Sequence, residues 1–182
     1  FHGLCLIVIL YYANEIVWRS RNSNFNLIEN ATPVSKTSLF FSKWFTLSII
    51  IIFFTTLMIL LGIVFQIQYH YTVFDWHAYA GVYLFTSLPL IISAGIILCV
   101  QKMIKYRYVG LVVSAAIILL TATSFGEELL SHPLLTFQIP YRGLYSDING
   151  FGPYLQSFSW LHLFGLCVVV MLAILITQLK KF

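Results

Sequence analysis

The sequence predicts an all-α, polytopic transmembrane helical bundle, and three observations point to this fold class. The chain is 60% hydrophobic and only 9% charged, whereas soluble domains carry roughly 25% charged residues. Nine of its ten Lys and Arg residues lie in alternate gaps between apolar stretches or at the C-terminus. Four such stretches contain no Asp, Glu, Lys or Arg: 44–66, 78–101, 108–126 and 158–179. We therefore expect lipid rather than water to be the solvent of most of the chain.

Each of the four charge-free stretches is long enough to cross a membrane. At about 1.5 Å per residue, each gives a helix of about 30 Å, which matches the hydrocarbon core of a bilayer. The first apolar run, 4–12, is too short to cross alone, so we interpret 1–13 as the end of a first helix. The predicted architecture is the end of one helix plus four full spans, with a cytoplasmic surface helix and an outer interfacial hairpin.

The distribution of basic residues predicts the orientation of the chain. Segments 14–43 and 102–107 and the C-terminus hold the clustered Lys and Arg residues, and the positive-inside rule places all three in the cytoplasm. Basic residues beside membrane spans contact anionic headgroups, which accounts for the net charge of +4. We therefore expect membrane lipids as partners and no nucleic acid.

The cytoplasmic segment 14–43 holds the first group of candidate residues. Its apolar residues fall partly on one helical face, which predicts a helix lying along the membrane surface. They are Phe25, Leu27, Ile28 and Ala31. Thr32 and Pro33 predict the N-cap and first position of a new helix that continues into the span at 44. Such a surface helix either anchors the chain or transmits force from a cytoplasmic partner, and the residue pattern leaves both roles open.

Two spans carry features that bear on packing. Pro89 lies near the middle of the second span, and Ser93 follows four residues later. This pattern predicts a kink whose freed carbonyl is taken up by a neighbour or a hydroxyl. The third span begins with the small residues Gly110 and Ser114, which allow another helix to approach closely. We expect that face to pack against protein.

The external segment 127–157 holds the second group of candidate residues. Its apolar part, 129–141, is short and interrupted by prolines, so we expect it to lie in the outer interface or to enter the membrane and return. The run that follows favours turns, and a calcium loop is the weaker alternative because most of its ligands are absent. The candidate turn residues are Tyr145, Asp147, Asn149, Gly150 and Gly152.

The sequence contains no nucleotide-binding or hydrolase motif. It lacks a GxxxxGK[ST] loop, an HExxH pair and a GxSxG elbow. We therefore expect no enzymatic activity, no metal site and no cofactor in this chain. An intramembrane enzyme that uses Glu127, Glu128 or His132 is an alternative.

Four segments of the chain resemble the ABC exporter-type (type-2) permeases. The similarity is greatest to the long bacterial permeases that are fused to a zinc aminopeptidase-like domain. The segments are EIVWRSR at 15–21, IENATPVSK at 28–36, KYRYVG at 105–110 and YSDINGFG at 145–152. They occur in order along nearly the whole chain, which nevertheless has no peptidase motif, so the resemblance implies transport and not proteolysis.

The resemblance implies a permease half in the bacterial cytoplasmic (inner) membrane, working as an exporter. A separate ATP-binding cassette ATPase subunit would bind ATP and Mg beneath the surface helix, and a second permease half would complete the translocation route. The residues that would contact the ATPase, or stabilise the helix that does, are Glu15, Arg19, Arg21, Glu29 and Pro33. The alternatives are a non-transporting membrane scaffold of an envelope complex and an intramembrane enzyme.

Overall fold

The computed structural model describes residues 2–70, 74–123, 128 and 150–179. In these ranges the chain is predominantly helical and contains no strand, which confirms the all-α class. A π-helical turn at Tyr83–Ser87 joins α4 to α5. The helices are α1 (His2–Asn22), α2 (Phe25–Ala31), α3 (Lys36–Gln68), α4 (Trp76–Val82), α5 (Leu88–Met103), α6 (Arg107–Ala122) and α7 (Gly152–Leu179).

Three helical stretches are long and apolar enough to cross a membrane. They are Lys36–Gln68, Trp76–Met103 and Tyr154–Gln178, and they coincide with three of the predicted spans. The remaining predicted span, 108–126, corresponds to α6, which has 16 residues and ends at Ala122. At about 1.5 Å per residue α6 reaches about 24 Å, which is less than the full hydrocarbon thickness. The chain is thus a helical membrane protein. Among the four predicted spans, α6 is the shortest helix.

Helix α5 lies at the centre of the bundle. It packs against α1, α3, α6 and α7, and its residues Leu90, Ile92 and Ala94 are fully buried. By contrast, α3 and α7 expose large apolar side chains such as Phe45 and Trp160. An apolar outer surface of this kind is suited to contact with lipid tails.

Two boundaries differ from those that the sequence predicted. Helix α1 continues to Asn22, whereas we expected the first helix to end at 13 and a separate segment to begin at 14. The helix continues because Val17 and Trp18 extend its buried face beyond Ala13. Helix α7 begins at Gly152, inside the segment that we expected to lie outside the span.

A helix, α2, occurs in the segment where we predicted a surface helix, but the next helix begins later than expected. Thr32 is the C-cap of α2, and its hydroxyl donates to the carbonyl of Glu29. The N-cap of α3 is Ser35, whose side chain accepts a hydrogen bond from the backbone N–H of Ser38. The N-cap prediction at Thr32–Pro33 was therefore wrong, because the Thr32 hydroxyl already closes the preceding helix. The predicted break between the two helices is confirmed.

At Pro89, where we predicted a kink, the structure has a π-helical turn immediately before the proline. This turn, Tyr83–Ser87, ends just before the proline. Because proline has no N–H to donate one turn back, the preceding backbone cannot keep the regular α-helical pattern. The Ser93 hydroxyl donates to the carbonyl of Pro89 at 2.7 Å. The predicted hydroxyl contact thus involves the proline's own carbonyl and not the carbonyl freed upstream.

Candidate functional site at the basic end of the bundle

One end of the bundle gathers all of the Lys and Arg residues in the described ranges. The end of α1, the start of α3, the end of α5 and the start of α6 meet here, and we call it the basic end. The basic residues in question are Arg19, Arg21, Lys36, Lys43, Lys102, Lys105 and Arg107. The predicted coupling residues are found at this end.

A buried chain of hydrogen bonds joins α1, α5 and α6 below the basic end. Trp18 Nε1 donates to Gln101 Oε1 at 3.0 Å, and Gln101 Nε2 donates to Ser114 Oγ at 3.3 Å. Gln101 and Ser114 are fully buried. A Cβ at Gly110 would lie 2.9 Å from Gln101 Oε1, so glycine leaves room for the amide. Burying a polar group without a hydrogen-bond partner costs free energy. These hydrogen bonds therefore specify how α1, α5 and α6 pack together.

Gln101 was not among the residues singled out from the sequence. It is the last residue of the charge-free stretch 78–101, and a polar amide at the end of a span is unremarkable there. The available signal was the pairing of this amide with the small residues at the start of α6. Gly110 and Ser114 were predicted to face protein, and both are buried.

Arg21 connects the end of α1 to the end of α5. Its Nη1 donates to the carbonyl of Ile104 at 2.8 Å, and its Nη2 donates to the carbonyl of Lys102 at 3.0 Å. Carbonyls at a helix C-terminus lack intrahelical donors, and the helix dipole favours a cation there. The guanidinium carbon also lies 4.5 Å from the centroid of the Trp18 ring. Arg21 therefore caps a helix to which it does not belong.

The charge of Arg21 persists despite its partial burial. Desolvation by burial lowers the pKa of the Arg21 guanidinium from its ordinary value. An arginine has so high an intrinsic pKa that this direction of change leaves it protonated at neutral pH. The hydrogen bonds to the two α5 carbonyls are thus charge-assisted, which makes them shorter and stronger than neutral ones.

Two ion pairs link further helices at the basic end. Glu15 on α1 lies 2.9 Å from Arg107 on α6, and Glu29 on α2 lies 3.4 Å from Lys43 on α3. All four side chains are partly exposed, so each pair stabilises the fold by no more than about 1 kcal/mol. Their main effect is to orient α2 and α6 against the rest of the bundle.

The structure divides the predicted coupling residues into two groups. Glu15, Arg21 and Glu29 contact other helices of the same chain through the bonds described above. Arg19 and Pro33 are exposed. The exposed pair is the part of the predicted set that is accessible to another molecule.

Helix α2 and the turn after it also expose apolar side chains. The exposed fractions are 49% for Phe25, 58% for Ile28 and 46% for Val34. These residues lie near Glu29, whose carboxylate forms the ion pair with Lys43 on α3. The segment thus has one face that is tied to the bundle and an apolar side available to lipid or protein.

The predicted external turn is described only in part. Tyr145, Asp147 and Asn149 lie outside the described residues. Gly150 has a φ of 55°, a left-handed conformation that glycine adopts without strain, and Gly152 is the first residue of α7. Gly152 is thus helical and not part of a turn, and the role of the predicted external turn stays a prediction.

The described residues do not bring together a metal centre. No group of three His, Cys, Asp or Glu side chains that could hold a metal ion occurs among them. Glu127 and His132, which would serve an intramembrane enzyme, lie outside the described residues, while Glu128 is exposed. The basic end is accordingly the best-defined candidate site in the described part of the chain.

The whole chain has no match among known proteins. No protein-family model, curated protein or solved structure matches the chain. Function must therefore be inferred from contacts within the chain.

Proposed function

We propose that this protein is the permease subunit of an ATP-driven ABC transporter, working as an exporter. The observation that carries the proposal is the contact of Arg21 with the carbonyls of Lys102 and Ile104. It links the segment that resembles a permease coupling element to the central helix α5. Movement of that segment would therefore be transmitted to the core of the bundle.

The contacts at the basic end define a route for such movement. Helix α2 follows α1 after two residues, and the Glu29–Lys43 ion pair joins α2 to α3. Arg21 continues the route to α5, and the Glu15–Arg107 pair continues it to α6. Packed helices that are joined at one end shift together, by small sliding movements. A force on α2 would thus change the arrangement of at least four helices.

In this proposal the basic end faces the cytoplasm of a bacterium. The positive-inside rule supports that orientation for segments 14–43 and 102–107 and for the C-terminus in the inner membrane. Arg19 and Pro33, being exposed, would contact the ATPase subunit, which binds ATP and Mg. Glu15, Arg21 and Glu29 would instead hold the contact segment in place. A second permease half would complete the translocation route for the cargo.

The cargo is proposed to be lipid-like or peptide-like. The predicted spans contain no Asp, Glu, Lys or Arg. Intramembrane charges are expected along pathways for protons or small ions. Their absence from the sequence of the spans favours a cargo that moves along apolar and aromatic surfaces.

The proposal is tested by purifying the full-length protein in a gentle detergent and identifying what accompanies it. We expect a stoichiometric ATP-binding subunit and an ATPase activity in the complex. The substitution Arg19→Glu should lower the amount of bound ATPase or the coupled turnover, because it reverses the charge of an exposed candidate contact residue.

The matched control for that experiment is Lys105→Glu. Lys105 is also exposed at the basic end but lies outside segment 14–43. A complex without any ATP-binding subunit would contradict the proposal. So would an Arg19→Glu complex that retains full assembly, ATPase rate and export.

A membrane scaffold is the second candidate function, and the exposed apolar residues of α2 favour it. Phe25 and Ile28 could dock a partner protein without any need for ATP. Co-purification distinguishes the two functions. A scaffold would bring partners that do not hydrolyse ATP, and its assembly would be unaffected by removal of ATP.

A further inference from the structure

A groove of about 540 Å³ lies on the outer surface of the bundle, between α3, α5 and α7. Helix α3 contributes most of its lining, and Ile91 on α5 and Leu166 on α7 contribute the rest. None of the residues that line it carries a charge. The lining residues on α3 are Ser38, Phe41, Ser42, Trp44, Phe45 and Ser48.

The groove extends from the boundary of the membrane towards its middle. Ser38 and Ser42 come shortly before the charge-free stretch 44–66, which places them at the level of the lipid headgroups and ester groups. Ile91 and Leu166 lie near the middle of their own membrane-spanning stretches. Half of a hydrocarbon core of about 30 Å is about 15 Å. The groove therefore covers about the depth of one membrane leaflet.

The apolar wall of the groove is fixed by contacts within the bundle. Trp44 Nε1 donates a hydrogen bond to the carbonyl of Ile91 at 2.8 Å. A Cβ at Gly95 would lie 3.1 Å from the Trp44 ring, so glycine leaves the space that this ring occupies. The Phe41 ring centroid lies 5.9 Å from that of Trp44. A wall that is already ordered lowers the entropy cost of binding a ligand.

The serine hydroxyls at the headgroup end of the groove can bond a ligand. Thr46 and Ser48 donate to backbone carbonyls four residues earlier on α3, at 2.9 Å and 3.0 Å. In the part of the chain that the structure describes, the hydroxyls of Ser38 and Ser42 form no such bond. A hydroxyl donates one hydrogen bond and accepts others. The groove thus has polar donors at one end and apolar side chains at the other.

The volume of the groove distinguishes between two possible occupants. Over a length of about 15 Å, a helix with side chains about 10 Å across requires roughly 1,200 Å³. A hydrocarbon chain about 4 Å across requires roughly 200 Å³ over the same length. A groove of about 540 Å³ can therefore hold an acyl chain but not a helix from a second copy of the protein.

We propose that this groove binds one phospholipid from the leaflet at the basic end. An acyl chain would lie along Phe41, Trp44 and Phe45, and the ester oxygens would accept hydrogen bonds from Ser38 and Ser42. The bound lipid would contact α3, α5 and α7 together. The site is separate from the contacts that carry the proposed transport function and does not depend on that function.

The experiment measures how tightly the full chain retains a phospholipid. The purified protein is titrated with dioleoylphosphatidylcholine in a gentle detergent, and native mass spectrometry counts the bound lipids. This zwitterionic lipid has no net charge, so its retention does not depend on attraction to the basic end. We expect the wild type to retain one lipid more tightly than any further ones. The same spectra give the number of protein chains in each particle.

Substitutions of Ser42 then locate the lipid. Ser42→Leu fills the groove and should weaken retention of the tight lipid by about tenfold, because the acyl chain and the leucine compete for the same space. Ser42→Ala removes only the hydroxyl and should weaken retention by about fivefold, the effect of one hydrogen bond. Ser42 is exposed, so neither substitution disturbs the core.

The matched control is Thr46→Leu. Thr46 is also exposed on α3 but does not line the groove, so this variant should retain the lipid as the wild type does. Weaker retention in both Ser42 variants and not in Thr46→Leu supports the proposal.

Three results would overturn the proposal. The first is a wild-type protein that retains no lipid more tightly than others, and the second is equal retention by Ser42→Leu and Thr46→Leu. The third is a Ser42→Leu variant that separates a dimer while its lipid retention is unchanged, because a second copy of the protein would then occupy this face.

Discussion

At the scale of single residues, the basic end depends on polar side chains whose partners are far away in sequence. Gln101 receives a hydrogen bond from Trp18 and donates one to Ser114. Arg21 bonds carbonyls on a different helix. Both side chains therefore join different helices. A substitution at either should lower the stability of the fold before it affects function.

Replacing Gln101 by leucine should destabilise the protein by about 2 kcal/mol, because the substitution leaves the Trp18 N–H and the Ser114 hydroxyl buried without this partner. For a chain of this length, about 2 kcal/mol lowers the unfolding midpoint by about 4–8 °C. The measurement is thermal unfolding of the purified protein in detergent.

The control for this substitution is Gln178→Leu on α7. Gln178 is exposed, so the same chemical change there should leave the midpoint nearly unaffected. Equal midpoints for the two variants would show that the buried hydrogen-bond chain does not stabilise the fold.

At the scale of helices, α3 and α5 show that two helices of similarly apolar composition can occupy different positions in the bundle. Both belong to strongly apolar stretches of spanning length. Helix α5 contacts four other helices, whereas α3 exposes Phe45, Phe53 and Phe65. Hydropathy measures the preference of a segment for an apolar environment. It does not distinguish an environment of lipid from one of other helices.

Glycines on the two helices should therefore respond differently to the same substitution. A Cβ at Gly95 on α5 would lie 2.5 Å from Val169 Cγ1 and 3.1 Å from the Trp44 ring, whereas Gly62 on α3 has nothing within 4 Å. Gly95→Ala should destabilise the protein by about 1–3 kcal/mol through overpacking. Gly62→Ala should be neutral or slightly stabilising, because alanine favours a helix by up to about 1 kcal/mol over glycine.

Thermal unfolding of the two alanine variants side by side provides the measurement. A midpoint for Gly95→Ala at or above that of Gly62→Ala would contradict the close packing of α5 against α3 and α7.

At the scale of the whole molecule, the two ends of the bundle differ in charge. The basic end uses ion pairs and hydrogen bonds, as described above. At the opposite end the Phe85 ring centroid lies 4.6 Å from that of Phe151 and 4.5 Å from that of Phe158. These aromatic contacts join the π-helical turn to the start of α7. The Lys and Arg residues of the described ranges lie at one end only, which is the charge pattern expected for a protein with a fixed orientation in the membrane.

This asymmetry predicts opposite accessibility of two exposed positions. Ser23 follows α1 at the basic end, and Tyr69 follows α3 at the opposite end. Single cysteines introduced by Ser23→Cys and Tyr69→Cys should react with a membrane-impermeant thiol reagent from opposite sides. The background should lack Cys5, Cys99 and Cys167, which are free thiols.

Labelling is measured in intact cells and in inverted vesicles. The proposed orientation predicts that Tyr69→Cys reacts in intact cells and Ser23→Cys in inverted vesicles. Reaction of both variants from one side would contradict the crossing of the membrane by α3.

The sequence by itself determined the helical class, three of the four predicted spans and the concentration of the described basic residues at one end. It could do so because hydropathy and charge act on each segment separately, whatever its neighbours are. It also located the break before α3, which depends on local backbone chemistry, and it predicted a kink at Pro89, where the structure has a π-helical turn just before the proline. It misplaced the C-terminal end of α1, because Val17 and Trp18 extend the buried face of that helix. It misplaced the N-cap of α3 because Thr32 instead closes α2.

Only the tertiary structure decided which helix is central and what the candidate residues contact. Trp18 and Gln101 are 83 positions apart, as are Arg21 and Ile104, and no local pattern joins them. The same holds for the ion pair of Glu15 with Arg107, which joins α1 to α6. Such contacts depend on the relative positions of helices, which are determined by the packing of many side chains together.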